Sequence, residues 1–255
     1  AFRIVLDNSS STAAAEYVGL NPPDVMLSNL DDETPGFLIS AISGNLVEKG
    51  GSATFTVKMT SQPTSSVDIP LLVSDTSEAT VAGDNATHLS FTTSNWNADH
   101  VVTLSAVDDS ESDGTQSFYV NLGADNSTLD TSGYRGLDPQ DVAAATQDDE
   151  SAGFLVSSVS GSVTEEGGQA LFTVRLTSQP SGSVALSVSS DNTSEATVSP
   201  LTLTFTSTNW RSEQAIRVTG VDDNISDGNS AFRIVLDNSS STAAAEYVGL
   251  NPPDV

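Results

Sequence analysis

Hydrophobic and polar residues alternate along most of this chain with a period of two. Ala53, Phe55, Val57 and Met59 share one face of a run whose other face is Thr54, Thr56 and Lys58. Such alternation predicts a β-strand with one side buried. The same pattern predicts strands over 37–42, 67–73, 89–92, 102–106, 118–122 and 142–146, and no stretch carries a convincing helical period. Gly, Ser, Asn, Asp and Pro fill the gaps between runs, as tight turns require. Seven short alternating strands in about 115 residues outline an immunoglobulin-like sandwich.

The outline repeats. Residues 1–25 recur unchanged at 231–255. Within that interval, GFLISAISGNLVEKGG from Gly36 matches GFLVSSVSGSVTEEGG from Gly153, and the SQP and SEATV segments keep the same spacing. Trp96 pairs with Trp210, Val107-Asp108-Asp109 with Val221-Asp222-Asp223, and the turn at Tyr134 with that at Tyr247. Self-similarity at this period indicates a tandem array of domains. The expected division is a C-terminal part of a preceding unit at 1–35, a complete unit at 36–152, and a second unit at 153–255 that lacks the counterpart of Met26–Pro35. The fold class expected is all-β, tandem seven-stranded immunoglobulin-like β-sandwiches in an elongated array. The opening on a strand-like run, Ala1 to Leu6, reads as a piece cut from something longer. Trp96 and Trp210 read as aromatic plugs at one end of each sandwich, and Tyr134 and Tyr247 as locks on their turns.

Charge changes the picture. Of 255 residues, 34 are acidic and 8 basic, a formal net charge of −26. Nucleic acid and anionic membranes both need Lys and Arg to meet phosphate, so neither is an expected partner. No apolar run approaches the ~20 residues of a membrane helix, and no direct membrane insertion is expected. The absence of cysteine excludes disulfides and thiolate metal sites, while leaving an extracellular location open. Cations, above all calcium, are the natural counter-charge.

The acids cluster at four places in the complete unit: Glu48 in VEKGG, Asp108 and Asp109 after a strand, Asp113 shortly beyond (with Glu111), and Asp148-Asp149-Glu150 at the close. The second unit repeats the first three as Glu165, Asp222-Asp223 and Asp227, and the leading segment supplies the fourth as Asp31, Asp32 and Glu33. Adjacent carboxylates repel unless a cation or proton intervenes. Ca²⁺ takes six to eight oxygens in irregular geometry, so a strand end, a loop and a domain terminus meeting at one pole would form a calcium cage. Solvated acids in turns, or a salt-adapted surface, are the alternatives.

Glu-x-Gly-Gly, alternating strands, Val-Asp-Asp and a terminal Asp-Asp-Glu together resemble the Calx-β (Calx-beta) domain, and the longer pattern is similar to tandem Calx-β-like repeats of large bacterial surface proteins. The resemblance covers the whole chain and implies a sandwich that binds Ca²⁺ at one pole, beside the linker to the next domain. The ligands it implies are Glu48, Asp108, Asp109, Asp148, Asp149 and Glu150, with Glu165, Asp222 and Asp223 in the second unit. Two departures stand out. The loop after each Asp pair reads SESDG or NISDG, without the family's further Glu residues, which weakens Asp113 and Asp227 as ligands. The family's acid in mid-domain has no clear match, Asp75 and Asp191 being near the place but out of alignment.

Catalysis has little support. His88 and His100 occur in one unit only, and no nucleophile, zinc-protease or phosphate-loop motif is present. The expected function is a calcium-stiffened spacer in an extracellular adhesin or filament at a bacterial cell surface. Its partners would be calcium ions, neighbouring repeats and like chains. The competing expectation is a glycan-binding or self-associating module that assembles into fibres by strand donation.

Overall fold

The computed structural model describes residues 1–7, 14–83, 86–125, 129–226, 228–238 and 243–255. Strands β1 (Phe2–Ile4) and β2 (Val25–Leu27) form a small antiparallel pair. A first sandwich follows, built from β3 (Phe37–Ile39), β4 (Leu46–Val47), β5 (Ser52–Met59), β6 (Val67–Val73), β7 (Ala79–Ala82), β8 (His88–Phe91), β9 (His100–Ala106), β10 (Gln116–Leu122) and β11 (Val142–Gln147). A second contains β12 (Phe154–Val156), β13 (Gln169–Leu176), β14 (Val184–Ser190), β15 (Ala196–Ser199), β16 (Thr202–Phe205), β17 (Gln214–Gly220) and β18 (Ile234–Asp237).

In the first sandwich a four-stranded sheet, β3-β5-β9-β7, faces a five-stranded one, β4-β11-β10-β6-β8. The strand alternation sets which side chains enter the core. Along β5, Ala53, Phe55, Val57 and Met59 are buried, and along β6, Val67, Ile69, Leu71 and Val73 are buried while Asp68, Pro70 and Leu72 face out. The seven strands expected from the alternation are all present, joined by β4 and β7. β4, at two residues, is too short to carry a period of its own. β4 exists as the parallel partner of β11, through Leu46↔Thr146 and Val47↔Gln147.

The second sandwich repeats the four-stranded sheet as β12-β13-β17-β15, but the facing sheet has three strands, β16-β14-β18. Among the described residues, none forms a counterpart of β11 or β4. The leading pair β1–β2 has the register of β10–β11: Ile4↔Val25 corresponds to Val120↔Val142, and Phe2↔Leu27 to Phe118↔Ala144.

Tyr134 and Tyr247 do the locking expected of them, by reaching across to the Ser-Gln-Pro loops. The Tyr134 hydroxyl donates to Ser61 O at 2.9 Å and accepts from Ser61 N at 2.9 Å, with the ring edge-on to Phe37 at 5.4 Å. Tyr247 donates to Ser178 O at 2.7 Å and accepts from Ser178 N at 3.2 Å, beside Phe154. Both phenols are fully buried, so the hydroxyl partners are obligatory. Trp96 and Trp210 are half-buried and pack against the two cores. Tyr134→Phe leaves the buried Ser61 backbone groups without their partner. It is expected to destabilise the first sandwich by about 1–3 kcal/mol, read by urea unfolding of Trp96 fluorescence in a Trp210→Phe background.

Candidate metal centre

The Glu-x-Gly-Gly motif is a turn that needs both of its glycines. Gly50 has φ of +75°, a conformation side-chain-bearing residues rarely take, and a Cβ on Gly51 would collide with the Val47 carbonyl. The turn folds back between β4 and β5 and ties itself to β11, Glu48 N donating to Gln147 O at 3.1 Å. Glu48 is thereby held beside the residues that follow β11. Asp148 Oδ1 accepts from Glu150 N at 2.7 Å, and its Oδ2 accepts from Gly114 N at 2.8 Å. Asp109 Oδ1 accepts from Glu111 N at 2.7 Å, which shapes the loop after β9.

Three separated segments therefore converge. Carboxylate oxygens of Glu48, Asp148 and Glu150 all lie within 4.8 Å of one another, and the same holds for Glu48, Asp108 and Asp149. Glu48, shared by both groups, is 2% exposed. Its carboxyl is pushed up to about 8 by desolvation first, and then by the Asp109 charge, a hydrogen bond with Glu150 and the Asp148 charge. Desolvation, followed by the Asp149 charge, also raises Glu150, although its hydrogen bond with Glu48 works the other way. The cation nearest the cluster among the described ion pairs is Lys49, 3.8 Å from Asp149 and largely exposed, so its contribution is small.

Of the residues singled out in the complete unit, Glu48, Asp108, Asp148, Asp149 and Glu150 are brought together directly. Asp109 lies beside them, its charge acting on Glu48 and on Glu78. Asp113 is exposed, next to the Gly114 amide that binds Asp148. Glu78 was not singled out from the sequence. It is 6% exposed, and its carboxyl is raised by desolvation and then by the charges of Asp113, Asp75, Asp109 and Asp148. Its carbonyl accepts from Val107 N at 3.0 Å and from Thr146 Oγ1 at 3.1 Å, which pins it between β9 and β11. The signal available was the repeated SEATV segment, in which Glu195 is the counterpart.

The leading segment presents Asp31, Asp32 and Glu33 exposed, in no carboxylate group with the others among the described residues. The counterparts of Glu48 and of Asp108-Asp109 for that unit are not among the 255 residues. In the second unit Glu165 and Asp222 are exposed and Asp223 is half-buried. Asp223 Oδ1 accepts from Ile225 N at 2.7 Å, the same turn as Asp109 makes with Glu111. The described residues there form no carboxylate group like that of the first unit. Asp227 lies outside the described residues.

Glu48, Glu78 and Glu150 each have a buried Oε2 without a hydrogen-bond partner. Buried polar atoms are rarely left so, and a bound ion is one of the standard reasons. All the donors are hard oxygens from several segments, which suits Ca²⁺ better than the softer metals that prefer nitrogen or sulfur.

A family model described as the Calx-beta domain matches residues 31–151 and again 147–254. The chain belongs to the Calx-beta domain family. It is thus a tandem of calcium-binding Calx-beta domains, and the first domain's residues fit the ion. Similar solved structures include the calcium binding domain CBD12 of CALX1.1, at 16% identity over 76% of each chain with a TM-score of 0.32. CBD12 from CALX1.2 is similar at 17% identity over 76% of each chain, with a TM-score of 0.31. A type II cohesin dyad from the adaptor ScaA scaffoldin of Acetivibrio cellulolyticus shares 9% identity over 82% of this chain and 89% of that one, with a TM-score of 0.28. No curated protein matches the chain.

The raised Glu48 carboxyl makes metal-free stability depend on pH. Glu48 titrates near 4.5 when unfolded and near 8 when folded, so the folded chain holds an extra proton between those values. That stabilisation is complete below pH 4.5 and is lost as the pH rises through 8. In chelator, the melting temperature of the first Calx-beta domain is expected to fall by several degrees between pH 5 and 8.5. Glu48→Gln should flatten the slope. Saturating calcium should oppose the fall, because it binds the ionised carboxylates. Scanning calorimetry across pH reads all three.

Proposed function

We propose that this chain is a calcium-stiffened spacer in an extracellular protein of a bacterial cell surface, an adhesin or filament. The observation that carries the reading is a contact between the two sandwiches. Gln179 N donates to Ser110 O at 2.6 Å, and Gln179 Nε2 donates to Glu111 Oε1 at 2.7 Å. Ser110 and Glu111 sit in the loop that Asp108 and Asp109 open, so one loop serves both the carboxylate cluster and the junction. On the other side, Gln179 follows Ser178, whose backbone is held by Tyr247. The linker is short, and Thr177 grips its end, through Oγ1 to Ser151 O at 2.6 Å and N to Gly153 O at 3.0 Å.

Without a cation, mutual repulsion among Glu48, Asp108, Asp109 and Asp148–Glu150 pushes this loop and the linker apart. A bound Ca²⁺ turns that repulsion into attraction and holds the loop in the shape that meets Gln179. The near-identical repeat and the lack of catalytic motifs suit a part whose work is to span distance. The surface location rests on the resemblance to repeats of large bacterial surface proteins and on the affinity for an ion abundant outside cells.

Calcium is expected to raise the melting temperature of the first domain by many degrees, by mass action on the native state. Replacing Asp108 and Asp109 together with Asn should abolish the rise, and an unshifted melting curve in the native chain would sink the reading. The junction has its own readout. With spin labels at Leu72→Cys and Leu201→Cys, both exposed positions, the interdomain distance distribution should narrow on adding calcium. Gln179→Ala should broaden it while leaving the calcium-induced rise in melting temperature in place.

A further inference from the structure

The two sandwiches segregate charge by sheet. In the second, β12, β13, β15 and β17 contain no acid, although acids outnumber bases 34 to 8 in the chain. They carry two of the 8 basic residues, Arg175 and Arg217, on the outer face of the sheet. Each arginine stands directly opposite an outward leucine on a neighbouring strand, through Leu155↔Arg175 and Leu171↔Arg217. Both leucines are 46% exposed. No ion pair among the described residues involves either arginine. The first sandwich differs at both places. Lys58, the counterpart of Arg175, lies 3.5 Å from Asp99, and Thr103 stands where Arg217 does. The four-stranded sheet has the same strand order in both sandwiches, so the arginine face is a complete one.

The opposite arrangement occurs on the five-stranded sheet of the first sandwich. β4, β6, β8, β10 and β11 contain no Lys or Arg. Their outer face presents Leu72, 64% exposed, and Tyr119, 55% exposed, with the exposed Ala143 directly opposite Tyr119. Asp68 on β6 and Asp141 beside the start of β11 are exposed at the margins of this apolar centre. Both carboxylates are held in place, Asp68 by the Ser90 hydroxyl and Asp141 by Leu122 N at 3.0 Å.

We propose that these two faces bind each other between copies of this chain, the arginine face of one copy seated on the Leu72–Tyr119 face of the next. Charge selects this occupant. Two guanidinium groups without ion-pair partners meet a face that has acids and no base, while most of the remaining surface is acidic and repels a like copy. The apolar centres match as well: Leu155 and Leu171 would cover Leu72 and Ala143, and a guanidinium would stack on the exposed Tyr119 ring. Both are antiparallel sheet faces, which pack against each other about 10 Å apart. Strands about 4.8 Å apart, rising about 3.4 Å per residue, give each face at most about 450 Å². The pair therefore buries less than the ~1,200 Å² of a stable complex, and a single contact has a Kd of ~0.1–1 mM. Chains carrying several such pairs of domains would add the contacts and hold side by side by avidity. The two faces differ, so the contact is heterologous and propagates from copy to copy. Neither face includes the clustered carboxylates or Gln179, so the contact does not rest on the calcium reading.

The chain has no cysteine, which permits a direct test. A spin label on Thr197→Cys, an exposed position on β15, marks the arginine face. The labelled chain is mixed with a ¹⁵N-enriched native chain at ~0.5 mM, near the expected Kd, in moderate salt and chelator. Amide signals of Leu72, Tyr119 and Ala143 in the enriched chain should broaden at least twofold more than those of Thr54 and Thr103, on the other sheet of the same sandwich. Reversing the arginines, by Arg175→Glu with Arg217→Glu in the spin-labelled chain, should remove the broadening. Asp68→Lys with Leu72→Lys in the enriched chain should restore it against that reversed partner, at Tyr119 and Ala143. All four are surface positions, and an unchanged melting temperature verifies that each variant is folded. Absence of broadening in the native pair overturns the proposal. So does broadening that is equal on both sheets, that survives the reversal, or that the second pair of substitutions fails to restore. The calcium reading is tested apart from this, by the melting temperature of the first domain, and either result can fail while the other stands.

Discussion

The first domain accumulates ionisable oxygen where water is scarce and supplies almost no positive charge to offset it. Glu48 is almost wholly buried with one oxygen unpartnered, and Glu78 and Glu150 each have an unpartnered oxygen as well. A carboxylate in such a place either takes a proton or requires a cation. The raised Glu48 carboxyl is the protonated solution. The converging Asp108, Asp109, Asp148 and Asp149 favour the cationic one. In the proposed reading, which of the two prevails at a given pH and calcium concentration sets whether the end of this sandwich repels or attracts its own linker.

That local balance matters because of where it sits. The loop from Asp108 to Asp113 contributes to the cluster and also supplies the Ser110 and Glu111 contacts to Gln179. β11 ends in Asp148, and the linker to the second domain starts there. Hydrogen bonds from Tyr247 to Ser178 and from Thr177 to the linker carry the fixed geometry into the next core. In the proposed reading, an ion at one pole would act on the orientation of the neighbouring domain through this loop, the linker and a few buried partners.

Much of the fold was legible because period-two alternation leaves a sandwich few alternatives. Phe55, Val57 and Val102 sit in the core as their spacing demands. β4 was not legible, since two residues carry no period and it forms only where β11 lies beside it. The second domain makes the same point by contrast: Val163 and Thr164 occupy the place of β4 and, without a β11, are not strand. For the site, pairs such as Asp108-Asp109 stand out by repulsion between neighbours in sequence. Glu78 is a lone acid in a Ser-Glu-Ala-Thr segment, and its importance comes from the charges around it, none of which is adjacent in the chain.

The sequence by itself determined the class of fold, the repeat, the acidic character and most residues of the first carboxylate cluster. Each of these is a property of short-range pattern or of composition. Tertiary structure alone decided which acids meet, that the charges of Asp109, Asp113 and Asp148 act on Glu78, and that Gln179 touches the loop beside the cluster. These outcomes depend on strand order and on distances between residues far apart in the chain, and desolvation exists only once the sheets have closed over the carboxylates.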